Sequence, residues 1–97
     1  MKRIRFNAEK SSKLKQIRGV DFNDIIRAIN RGHLVKIITH HNNFKYPNQR
    51  IFLVNINTYI FCVQFVEEDA HIFLKTLFPS RKYTKEYYHL FQKDEKK

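Results

Sequence analysis

The stretch RIFLVNINTYIFCVQFVEEDAHIFLKTLF, Arg50 to Phe78, decides the architecture. It holds three runs rich in β-branched and aromatic residues, Arg50–Ile56, Tyr59–Val66 and His71–Phe78, each of strand length. The links between them, Asn57-Thr58 and the acidic Glu67-Glu68-Asp69-Ala70, are too short for a crossover. Only antiparallel hairpins fit, so the three strands form a meander.

Working toward the N-terminus, Leu34–Thr39 is a fourth β-rich run. The link from His40 to Gln49 is longer and carries His40, His41, Phe44, Tyr46 and Pro47, which makes it a candidate substrate loop. Before it, Asp21 opens a helix with Asp24 three positions on, and Phe22, Ile25, Ile26 and Ile29 recur at helical spacing as far as Gly32. An earlier helix spans Ala8 to Arg18, capped by Asn7, with a thin apolar stripe of Leu14 and Ile17 and a stop at Gly19-Val20. Met1 to Phe6 alternates weakly and reads as an edge strand whose outer face carries Arg3 and Arg5.

After the meander, a last helix starts between Ser80 and Thr84 and runs to about Gln92, with Tyr83, Tyr87, Leu90 and Phe91 as its apolar stripe. Lys93 to Lys97 form a charged tail. The expected order is β-α-α-β-β-β-β-α, an α+β fold in which helices pack against an antiparallel meander sheet, within one domain spanning 1–97.

The chain has 97 residues, 42% of them hydrophobic, so it can bury about 60 to 65% of its unfolded surface. A net charge of +10 and a pI near 10.0 predict a nucleic acid, an anionic membrane surface or an acidic protein as partner. The bland alternative is a solvated basic face. Cys62, between Phe61 and Val63, reads as a small buried hydrophobe. Lys2, Arg3 and Arg5 lead into polar residues rather than a signal sequence, and the apolar stretch Tyr59–Val63 is too short to span a bilayer. The expectation is a soluble cytoplasmic protein with no membrane partner.

Lys75, Arg81, Lys82 and Lys85 are interleaved with Phe78, Tyr83, Tyr87 and Tyr88, a mixture suited to a phosphate backbone with bases attached. Arg81 and Lys82 near a helix N-terminus cost about 0.3 to 1 kcal/mol each unless an anion compensates. Strict alternation puts Lys75 on one face with His71, Phe73 and Leu77, and Ile72, Leu74, Thr76 and Phe78 on the other; either could be buried. Tyr88 falls outside the helical stripe and is the better stacking candidate, with Tyr46 a second in the long loop. The histidines are scattered, so no metal or cofactor is expected, and His41 is either a proton donor or a surface residue.

Three features occur jointly: Gly19-Val20-Asp21-Phe22 joining two helices, Arg50 at a strand start, and Pro79-Ser80-Arg81-Lys82-Tyr83-Thr84 before the last helix. Over residues 6 to 88 the chain resembles the BrnT-type toxins of bacterial type II toxin-antitoxin pairs. The resemblance implies a fold related to the RelE ribonuclease toxins, cleavage of RNA, and neutralisation by a cognate antitoxin whose acidic or amphipathic segment covers the basic cleft. Arg50 matches the strand arginine of that family, and Arg81 and Lys82 its paired basic residues. Phe6-Asn7 stands where the family has Trp-Asp, Tyr83 where it has a small residue, and its acidic residue after the Thr is displaced to Glu86.

RNA is cut without metal when its own 2′-OH attacks the adjacent phosphate, given a base, an acid and cations for the developing charge. The expectation is that Arg50, Arg81 and Lys82 line one cleft, with Lys75 as a further catalytic candidate and Lys85, Tyr88, Tyr46 and His41 contacting RNA. That reading requires a groove shared by the three clamp residues. The alternatives are a non-catalytic nucleic-acid-binding module and a protein-interaction subunit.

Overall fold

The computed structural model describes residues 2–39, 44–45 and 48–89. The chain runs β1 (Arg3–Phe6), α1 (Ala8–Arg18), α2 (Phe22–Asn30), β2 (Leu34–Thr39), β3 (Gln49–Ile56), β4 (Tyr59–Glu67), β5 (His71–Pro79) and α3 (Arg81–Glu86). This is the anticipated element order in an α+β fold.

The five strands form one sheet in the order β1-β5-β4-β3-β2. β2 to β5 are antiparallel neighbours, as the short links demand. β1 departs from expectation: it lies parallel to β5, with Arg3 opposite His71 and Phe6 opposite Leu74, so the sheet is mixed. Parallel pairing needs a long crossover, and here everything from α1 to β4 serves as that connection.

Local chemistry explains the helices. Asn7 accepts a hydrogen bond from the Lys10 backbone N–H at 2.9 Å, and Gly19 closes α1 at φ 76, a left-handed conformation that glycine takes without steric cost. Asp21 and Asp24 form a reciprocal capping box on α2, at 2.8 and 3.0 Å. The buried Ser11 hydroxyl accepts from the Phe22 N–H at 3.0 Å, which ties the two helices together. Leu14 is buried, but Ile17 is 75% exposed, so the expected α1 stripe loses its second member.

The sheet is covered on both faces. Against α1 and α2 it buries Phe52, Val54, Phe61, Val63, Phe65, Ile72, Leu74 and Leu77 together with Phe22 and Ile25. Phe52 and Phe65 stack at 4.0 Å. On the other face Leu53, Ile60 and Cys62 make a smaller cluster, closed by Tyr83 and Tyr87 of α3 and by Val35, Ile38, Ile51 and Phe78.

Strict alternation fails in β5. Phe65 pairs with Leu74 and Gln64 with Thr76, so Lys75 is an extra, bulged residue. The bulge shifts the side-chain phase, which is why Ile72, Leu74 and Leu77 share one core while Phe78 joins the other. Of the two expected caps of α3 it is Ser80 that serves, accepting from the Tyr83 N–H at 3.1 Å; the helix closes at Glu86 with Tyr87 as C-cap, and Tyr88 and His89 are again helical. The Thr84 hydroxyl is a clamp rather than a cap: it donates to the Ser80 carbonyl at 2.6 Å and accepts from the Ile60 N–H at 2.9 Å. Leu90, Phe91 and Gln92 lie outside the described residues.

Among the described residues, no helix is long and apolar enough to cross a membrane.

Candidate nucleic-acid interface

The four residues expected to be catalytic occupy three separate places. Arg50 shares the pleat of Phe52 and Val54 and pairs with Phe65, which sets it on the face covered by α1 and α2. Its guanidinium lies 5.5 Å from the centre of the Phe65 ring and forms an ion pair with Glu67. Lys2 joins the same carboxylate at 3.2 Å. Hydrogen bonds from Lys2 and Arg50 hold the Glu67 carboxyl below its ordinary pKa.

Arg81 and Lys82 open α3, whose Tyr83 and Tyr87 pack on the opposite face. Pro79, just before them, pairs with Phe61, whereas Arg50 pairs with Phe65. The two sets are therefore separated by about 13 Å along β4 as well as by the thickness of the sheet. The single cleft holding Arg50, Arg81 and Lys82 does not form, because odd and even positions of a strand project to opposite sides.

Lys75 sits in the bulge of β5 beside α1, with its ammonium 5.9 Å from the Phe73 ring centre. Lys85 is exposed, and Tyr88 is 52% exposed. Tyr46 and His41 lie outside the described residues.

What the fold does bring together is a set of cations on the α3 side of the sheet. Ile4 and Phe6 of β1 pack into the first core, so Arg3 and Arg5 project to the other face, both exposed. They share that side with Arg81, Lys82 and Lys85. None of the five makes an ion pair among the described residues; Lys82 rests 5.4 Å from the Tyr83 ring centre, and the expected alternative of pairing with Glu86 does not occur. Arg3 pairs with His71, eight positions before Pro79, so about 26 Å along β5 separates the two ends of this strip.

Along it lie Gln64 and Val66 of β4, with His71 of β5 at the Arg3 end, all half-buried. The His71 Nε2 lies 2.9 Å from a Glu68 carboxylate oxygen. Sequence reasoning passes over this histidine because its partner stands across a turn, three positions back. Arg3 and Arg5 are legible as an outer strand face, but not as neighbours of β5.

A polar cavity of about 300 Å³ lies at the C-terminal ends of α1 and α2, lined in part by Arg27, Arg31, His33 and Asn55. The partial negative charge of those helix ends opposes an anion there. Among the described residues, no three His, Cys, Asp or Glu side chains gather closely enough to hold a metal ion. Cys62 is buried, and that burial pushes its thiol pKa up against a lowering hydrogen bond with Ser80. Such a thiol is a poor nucleophile.

Comparison with protein-family models, with curated proteins and with solved structures finds no match for this chain.

Proposed function

We propose that this protein binds RNA across the α3 side of its sheet as a non-catalytic nucleic-acid-binding module; the metal-independent endoribonuclease toxin of a type II toxin-antitoxin pair is the second reading. The observation that carries the reading is a set of unpaired cations on that side. Arg3, Arg5, Arg81, Lys82 and Lys85 share one side of the sheet without a carboxylate paired to any of them among the described residues. Uncompensated cations spaced over about 26 Å suit a short single strand of RNA, with Tyr88 available for stacking. The element order agrees with the RelE-like arrangement that the toxin resemblance implies.

In the nuclease reading Arg81 and Lys82 hold the scissile phosphate; His71, eight positions before Pro79 and about 26 Å away along β5, is too far from them to move a proton there. Arg50 takes no part in that clamp. In that second reading a cognate antitoxin neutralises the protein by laying acidic side chains over the same cations.

The separation of Arg50 from Arg81 and Lys82 favours binding over cleavage, since it removes the three-cation phosphate clamp that the nuclease reading requires. One assay divides the two. Single-stranded RNA incubated with purified protein in EDTA yields fragments ending in a 2′,3′-cyclic phosphate if the protein is a nuclease. RNA that is retained but intact supports the binder. Unchanged cleavage by Arg81→Ala and Lys82→Ala variants removes both residues from the mechanism.

A further inference from the structure

We infer that the groove between α1 and the free edge of β5 is a docking site for an extended segment of a partner protein in which apolar and acidic residues alternate. β5 has a strand beside it only as far as Leu74, opposite Phe6, because Asn7 turns the chain out of β1 and into α1. From Lys75 to Pro79 that edge has no strand neighbour among the described residues. A strand edge with unpaired backbone groups is a template for strand addition.

α1 runs past this gap and leaves a groove of about 560 Å³. Leu14, Phe73 and Leu74 give it an apolar floor, and Ile17 stands on its rim, 75% exposed. An isolated exposed isoleucine needs no explanation, but one bordering an apolar groove extends a binding surface. Lys10, Lys13 and Lys75 also border the groove, and none makes an ion pair among the described residues; Glu9 is the one carboxylate among the described residues that line it.

The occupant follows from this combination. The lysines call for negative charge, and the apolar floor calls for side chains that RNA does not possess. A strand with apolar residues on one side and Asp or Glu on the other meets both demands and supplies the missing backbone partner of β5. The inference is independent of RNA cleavage, because Ile17 and Lys13 lie outside the cations proposed to contact RNA.

The test uses the full chain and two labelled synthetic peptides of equal composition, one with Val and Glu alternating and one with the same residues in two blocks. Fluorescence anisotropy is expected to show the alternating peptide binding at least about tenfold more tightly, a difference of about 1.4 kcal/mol. Ile17→Asp and Lys13→Glu each should weaken it by about tenfold, with Ile17→Asp leaving RNA binding and the melting temperature unchanged. Amide exchange of residues 75–78 should slow when the peptide is bound. Equal affinity of the two peptides overturns the inference, as does an Ile17→Asp variant that binds normally. So does single-stranded RNA that slows exchange of the same amides while the peptide does not. Because Ile17 is exposed, its substitution leaves the folded core intact.

Discussion

On one side of the sheet, α1 and α2 close a core built from Phe22, Ile25, Phe52, Val54, Phe65 and Leu74; on the other, the six residues of α3 cover little more than Leu53, Ile60 and Cys62. The difference separates two demands on a small basic protein. One face supplies burial, the dominant favourable term in folding. The other keeps half-buried polar residues and five cations that are unpaired among the described residues within reach of a ligand, at the expense of apolar area.

The comparison can be broken at its strongest point by Phe65→Ala. This removes the ring stacked on Phe52 and should destabilise the protein by about 3 to 5 kcal/mol in urea unfolding. Tyr83→Ala acts on the thinner face, where the side chain is half-buried, and should cost about 1 to 2 kcal/mol. If the two losses were equal, the faces would contribute alike and the asymmetry would be one of appearance only.

Asp24 tests the junction of the helices. Burial pushes its carboxyl pKa up, but hydrogen bonds from Lys15, the Asp21 backbone N–H and Arg27 outweigh this and hold it at about 2, against 3.8 for the free group. A folded-state pKa below the unfolded one means that this carboxylate stabilises the protein fully above about pH 4. The contribution fades as pH falls toward 2. Asp24→Ala should therefore cost about 1 kcal/mol near neutral pH, after allowing for screening of the exposed cations, and almost nothing near pH 2. A loss that is the same at both pH values would mean that the charge has no role.

The β3–β4 turn places both Asn57 and Thr58 at positive φ, 53 and 65, where a β-branched residue is strained. Thr58→Gly should raise stability by about 0.5 kcal/mol, the relief exceeding glycine's entropic cost. The smallest stability effect belongs to the open face. Arg81→Ala with Lys82→Ala should change unfolding free energy by less than about 0.5 kcal/mol while lowering RNA affinity. The salt dependence of binding should become shallower by about 0.7 for each phosphate that the variant no longer neutralises. Substantial destabilisation without loss of RNA affinity would assign the pair to the fold.

Much of this organisation is legible in the chain. The runs around Asn57-Thr58 and Glu67–Ala70 allow only hairpins, the Asp21–Asp24 box marks the start of α2, and Gly19 marks the end of α1, because each is a local interaction within a few residues. The candidate site is less legible. Its cations can be named from the sequence, but only resemblance groups Arg50 with Arg81 and Lys82, and nothing in the local pattern singles out His71.

By itself the sequence determined the helices, the meander and the basic character, since hydrogen-bond spacing, side-chain periodicity and charge are properties of neighbouring residues. Only the tertiary structure decided that β1 joins the sheet in parallel, that Lys75 bulges from β5, and that Arg50 and Arg81 stand on opposite faces. A one-residue change of register reverses the side on which a strand residue lies, and long-range packing alone selects that register.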